Sequence, residues 1–204
     1  MLHDTRREFY EGGAVKELFT PITDEMIKTL KSGDMILLSG KIITARDAAH
    51  KKLVDIIKAG DTQKEKLPQE LEAQLDKQTV FYAGPAPAKP GKPIGSVGPT
   101  TAGRMDLYSP FLISKGLKVM IGKGLRSREV IDAIVKHKGI YFAAIGGAAA
   151  LMARCVKSSK IIAFEELGTE AVRELYVEKM PLVVAIDSQG NNIYESGRKN
   201  WYRA

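Results

Sequence analysis

A single cysteine, Cys155, stands in 204 residues. No internal disulfide can form, and the chain alone cannot hold a zinc ion or an iron-sulfur cluster, so the ligands of any such centre must lie elsewhere. Runs of about 18 apolar residues are absent. His3, Asp4, Arg6, Arg7 and Glu8 occupy the stretch where a secretory signal needs an apolar core, so the expectation is a cytoplasmic protein that does not span a membrane. Aromatics make up only 7%, and no basic stripe interleaves with them. The one basic cluster, Arg198, Lys199 and Arg203 around Trp201 and Tyr202, falls in the terminal segment, so nucleic acid is not the expected partner. A Walker A pattern is missing too, and Gly122-Lys123-Gly124 lacks both the third glycine and the later acidic residue of a dinucleotide fingerprint.

What is present describes a folding chain. Hydrophobic residues are 44% and charged residues 27%, close to the globular average and enough for one domain with a sizeable core. The balance of 31 Lys plus Arg against 24 Asp plus Glu leaves +7, which favours anionic partners without choosing among them. Thr23 is placed to cap a short helix bearing Met26, Ile27 and Leu30. A strand from Met35 to Leu38 follows, and Thr44 with Asp47 forms a capping-box-like pair opening a helix. That helix carries Ala45, Ala49, Leu53, Ile56 and Ile57 on its apolar stripe, with Arg46 and His50 off the line and Gly60 at its end. Residues 61–77 read as a polar excursion with a helix after Pro68. Strands are then expected from Thr79, at Leu117 to Ile121, at Ile140 to Ile145, at Lys160 to Phe164 and at Leu182 to Ile186. Helices are expected behind Ser127, from Ala148 to Val156, and from Thr169 to Leu175. This alternation argues for an α/β layered domain that presents loops at its strand ends.

Between two of those strands, residues 84–103 hold five glycines and five prolines. Neither a helix interior nor a central strand survives that composition, and structureless loops of about 20 residues are usually functional or disordered. Its exit reads Gly98-Pro99-Thr100-Thr101-Ala102-Gly103-Arg104-Met105-Asp106. Two adjacent hydroxyls with an arginine close behind form a compact oxyanion-binding group, although the same residues also suit a helix cap with surface charges. Arg46, in the first turn of its helix, and Lys123, in a strand-to-helix turn, offer two further cations, each with an alternative as an exposed charge. His50 has the residue type for acid-base work, but a lone histidine on a helix flank is more often structural. His137 suits a helix C-terminus, and Cys155 suits a small core position.

Taken together, the segments Leu37 to Lys51, Tyr82 to Pro85, Gly98 to Asp106, Met120 to Gly124 and Ala185 to Tyr194 closely resemble the C-terminal half of class I fumarate hydratases. In many organisms that half is a separate beta subunit, and the L-tartrate dehydratase beta subunit is similar. Residues 18–196 form the resembling domain, leaving 1–17 as an N-terminal extension and 197–204 as a basic tail. The resemblance implies a swivelling β/β/α layered domain with alternating strands and helices. It also implies a hydro-lyase interconverting L-malate and fumarate, active only with an alpha subunit that carries a [4Fe-4S] cluster. Arg46, Arg104 and Lys123 match the family's substrate-binding cations, Arg104 and Thr100 its catalytic positions, and the threonine is the one proposed for proton transfer. No metal ligand falls on this chain. A threonine hydroxyl is a poor base near neutral pH and needs activation by a neighbouring carboxylate or the cation cluster, a neighbour expected on the alpha chain. The expected partners are therefore that subunit, in a hetero-oligomer, and a small dicarboxylate. Two alternatives stay open: a tartrate dehydratase beta subunit, and a non-catalytic anion-binding or assembly module.

Overall fold

The computed structural model describes residues 15–60, 67, 71 and 75–201. In chain order the elements are β1 (Lys16–Phe19), α1 (Asp24–Thr29), β2 (Met35–Thr44), α2 (Asp47–Ala59), β3 (Thr79–Phe81), α3 (Ser109–Ser114), β4 (Val119–Gly122), α4 (Arg128–His137), β5 (Ile140–Ala143), α5 (Ala149–Cys155), β6 (Val156–Ala163), β7 (Val172–Ile186) and α6 (Ile193–Trp201). Short 3-10 turns lie at Leu75–Lys77, Ala102–Met105 and Glu165–Glu170. No helix among the described residues is long and apolar enough to cross a membrane.

The mixed α/β character expected from the sequence is present, in a sheet of seven strands. Its pairings close on themselves. β2, β3, β4 and β5 run parallel in that order, and β7 lies antiparallel to β5 on one side and to β2 on the other, so five strands form a barrel-like ring. β1 adds in parallel to the first half of β2, and β6 adds antiparallel to β7. Every residue of β3 and β4 is buried, as a parallel strand covered on both faces requires. Successive side chains alternate. Val80, Met120 and Tyr141 join a core with Leu53 of α2, Leu112 of α3 and Ile134 of α4, while Phe81, Ile121 and Phe142 join another with Leu38, Leu182 and Val184.

Local signals located several elements correctly. The Thr23 hydroxyl accepts from the Met26 amide at the start of α1, and the Ser127 hydroxyl accepts from Val130 at the start of α4. Three expectations are corrected. Residues 169–175 are not a helix; Glu165–Glu170 is a 3-10 turn and β7 begins at Val172, because pairing with β2 and β6 outweighs the local preference. Thr44 caps nothing: it ends β2, and its hydroxyl accepts the Arg173 amide. His50 faces inward, buried beside the rings of Tyr82 and Tyr108. The helix expected after Pro68 falls almost entirely outside the described residues, although Leu67, Leu71 and Leu75 are buried in the α2-side core. Most of the N-terminal extension also lies outside them, and α6 continues through Trp201 into the segment read as a tail.

The Gly/Pro loop stays without regular structure until the turn at Ala102. It folds back on itself, with the Ala86 amide donating to Ser96 and the Gly95 amide to Ala86. A Cβ at Gly95 would stand 2.4 Å from the carbonyl oxygens of both Ala86 and Pro87, so only glycine fits that contact. Ile94 and Val97 are buried, which anchors the loop and presents its exit to the ends of the parallel strands.

Candidate active site

The parallel strands β2, β3 and β4 end at Thr44, Phe81 and Gly122. Arg46 and Lys123 follow two of those ends directly, the position where α/β sheets place ligands. The loop exit is stitched beside Lys123. The Thr100 amide donates to the Tyr82 carbonyl at 2.6 Å, the Lys123 amide to the Thr100 carbonyl at 3.2 Å, and the Ala102 amide to the Lys123 carbonyl at 2.8 Å. A Cβ on Gly122 would stand 2.9 Å from the Tyr82 ring and 3.1 Å from the Ala102 methyl. That glycine therefore permits the approach that brings Thr100 and Lys123 together.

One carboxylate joins the two arginines. Asp47 takes Arg46 Nε on Oδ2 at 3.0 Å and Arg104 Nε on Oδ1 at 2.7 Å. Glu170 reaches the same place from the far end of the chain, with Oε1 3.5 Å from Arg46 Nε and Oε2 accepting the Ala48 amide at 2.7 Å. It thereby serves the N-terminus of α2, whose N-cap residue, Arg46, makes no side-chain cap. Both arginine contacts run through Nε, and among the described residues no hydrogen bond occupies the Nη nitrogens, so each fork can still take a carboxylate. The Arg46 side chain lies against Gly84, where a Cβ would be 3.0 Å from its Cδ.

Burial works to raise the Asp47 carboxyl. Its own backbone amide, the Arg46 bond and the charges of Arg104 and Arg46 outweigh that and hold it below the usual aspartate value, so it is ionised near neutral pH. Lys123, half-buried, has no ion-pair partner among the described residues, and its side chain runs past Gly146. It does not cap the following helix, because α4 begins only at Arg128. Three cations, Arg46, Arg104 and Lys123, against two carboxylates, Asp47 and Glu170, leave one positive charge at the strand ends. That surplus favours an anion at the strand ends.

The sequence reading missed the pairing roles of Asp47, Glu170 and Arg126. The Arg126 side chain is fully buried, with Nε 2.7 Å from Asp106 Oδ1 and Nη2 2.7 Å from the Ser109 hydroxyl. Its guanidinium lies over the rings of Tyr141 and Tyr82 at 5.0 and 5.3 Å. Burial opposes its charge, and Tyr82, Asp106 and Tyr141 outweigh that opposition. No local signal separates Arg126 from the other basic residues, because its partner Asp106 lies 20 positions earlier. Cys155 is buried, and burial pushes its thiol up, which suits packing rather than iron ligation. Among the described residues no group of three His, Cys, Asp or Glu is placed to hold a metal ion.

Comparison with known proteins gives consistent matches. Residues 6–197 match the family model described as Fumarase C-terminus. The chain is 40% identical over 194 residues to the anaerobic class I fumarate hydratase of Escherichia coli (strain K12), covering 93% of this chain and 34% of that protein. It is 41% identical over 164 residues to fumarate hydratase 2 of Leishmania major, covering 79% of this chain and 28% of that one. The chain thus spans about a third or less of the length of these fumarate hydratases. A protein of Methanocaldococcus jannaschii named "Putative L(+)-tartrate dehydratase subunit beta" is 40% identical over 190 residues, covering 90% of this chain and 93% of that protein.

Proposed function

The chain belongs to the Fumarase C-terminus family, and from that premise we propose that it is the beta subunit of a hydro-lyase converting L-malate reversibly to fumarate and water. The observation that carries the reading is the cation group at the strand ends: Arg46 and Arg104 share Asp47, and Lys123, beside Thr100, has no ion-pair partner among the described residues. In this reading the arginine forks dock the two carboxylates of the substrate. Loss of a proton next to a carboxylate builds negative charge, which Lys123 and Arg104 stabilise in place without reorganising. Thr100 takes part in the proton transfer, activated by a group on the partner chain.

A [4Fe-4S] cluster belongs in this reading to an alpha subunit, because one buried thiol is no donor set for it on this chain. When bound there, it supplies Lewis acidity toward the departing hydroxyl. The test is anaerobic co-expression with the cognate alpha-type chain, cluster reconstitution, and an assay of malate dehydration. Activity should require both chains. Arg104→Met should leave the complex intact and lower kcat by about 100-fold or more, the usual effect of removing one charge-stabilising donor. Turnover of malate by this chain alone refutes the subunit reading, and loss of association in Arg104→Met favours a non-catalytic assembly module.

One observation favours a second substrate. The relative from Methanocaldococcus jannaschii, matched over 93% of its own length, is of this chain's size and is named "Putative L(+)-tartrate dehydratase subunit beta". A reconstituted pair that ignores malate and dehydrates L-tartrate moves the assignment to that reaction, with the same docking residues.

A further inference from the structure

Arg104 and Lys123 sit on two irregular segments, 98–106 and 123–127, that no sheet or long helix holds in place. Backbone bonds tie these segments only on one side of Arg104, at Thr100 and Ala102. On the other side the tie is made by side chains. Asp106 grips the second segment twice, with Oδ1 on Arg126 Nε at 2.7 Å and Oδ2 on the Ser127 amide at 2.6 Å. Arg126 in turn touches what fixes both segments. It reaches the Ser109 hydroxyl, which donates to the Met105 carbonyl next to Arg104. It lies between Tyr82, whose carbonyl holds the Thr100 amide, and Tyr141, whose hydroxyl donates to the Gly124 carbonyl at 3.1 Å.

A fully buried cation is an expensive way to fill space, since apolar side chains of similar volume often serve stability as well or better. What the pair supplies and an apolar core does not is direction: two charge-assisted bonds of fixed geometry between the segments. We propose that Asp106 and Arg126 are positioning residues, a buried pair that sets the spacing of Arg104 and Lys123 and so fits the two cations to one substrate. The functional half of this inference rests on the hydro-lyase reading; the structural half does not.

The test is the double variant Arg126→Met with Asp106→Asn in the full chain. Removing both charges leaves no unpaired ion buried, and asparagine keeps an oxygen for the Ser127 amide. Hydrogen exchange should speed up by about 10-fold or more at the amides of 100–104 and 123–124 while those of β3 and β4 hold, a local opening rather than a global one. In the reconstituted pair, kcat/KM for malate should fall by about 100-fold with KM raised, the scale of an ångström-sized misplacement. Unchanged exchange in the two segments overturns the inference. So does faster exchange spread equally over β3 and β4, which marks a general fold role, and so does altered exchange with wild-type kcat/KM. Should the wild-type pair act on neither malate nor tartrate, the hydro-lyase reading falls, and the exchange result alone decides whether the pair ties the segments.

Discussion

Acid should weaken this domain through one imidazole. His50 is buried, with Nδ1 3.1 Å from the Arg46 carbonyl, its ring 5.1 Å from that of Tyr82 and 6.4 Å from that of Tyr108. Burial is the main cause that lowers its pKa from 6.5 to about 4; the Arg46 carbonyl opposes this, the Arg126 charge adds to it, and the Asp47 charge opposes it. The native state therefore keeps the ring neutral while the unfolded chain protonates it near its ordinary value. Between those two values the unfolded state binds more protons, so stability is complete above about pH 6.5 and is lost as pH falls toward about 4. The full difference of about 2.5 units corresponds to about 3 kcal/mol, of which about 2 kcal/mol should be gone by about pH 5. Asp34 and Asp47 are also depressed, from an ordinary 3.8, and so act mostly further into acid. Urea unfolding at steps from about pH 7.5 to 5 should show this slope. His50→Asn, which keeps a donor near the Nδ1 position, should be less stable throughout but nearly flat with pH. Equal slopes in the two proteins refute the reasoning. The same shift bears on function, because a histidine that stays neutral at physiological pH adds no charge to the cation group one turn away and serves as packing beneath Arg46.

Two other substitutions probe how the site is assembled and presented. Gly122→Ala places a methyl 2.9 Å from the Tyr82 ring and 3.1 Å from Ala102. It should cost about 1–3 kcal/mol, the range for overpacking, and lower the melting temperature; a melting curve like the wild type's refutes the close approach. Leu107 is 88% exposed immediately after Asp106, and Leu125, 56% exposed, has its carbonyl beside Gly103. Leu107→Asp should change stability by no more than about 0.5 kcal/mol, as surface changes do, while weakening association with the alpha-type chain in titration calorimetry. Undiminished affinity removes this flank from the contact.

The fold was legible in the sequence wherever the cause was local. Thr23 and Ser127 sit within a few residues of the amides they satisfy, and the apolar runs at 117–121 and 140–145 announce buried strands whatever surrounds them, found at 119–122 and 140–143. Residues 169–175 show the converse. Their composition favours a helix in isolation, and what makes part of them strand is β2, about 130 residues earlier, with β6 on the other side. The start of α2 was misread for the same reason: the acceptor that serves its Ala48 amide is Glu170, 122 residues away, and not a neighbour in the chain. The site divides along the same line. Arg46, Thr100, Arg104 and Lys123 could be singled out because residue type, glycine spacing and the family strings mark them. Asp47 adjoins Arg46 in the sequence, and yet its bond to Arg104 cannot be read there, because 57 positions separate the partners and only the parallel order of β2, β3 and β4 brings them within reach. Arg126 lies at the limit of this argument. As a sequence letter it is one of 31 basic residues, and nothing short of the ring closure that buries Tyr82 and Tyr141 on the same core distinguishes it from a surface charge. Residues that meet an anion carry their chemistry in their own side chains and can be read one at a time. Residues that aim them carry it in a distance to a partner, and that distance exists only once the chain has closed.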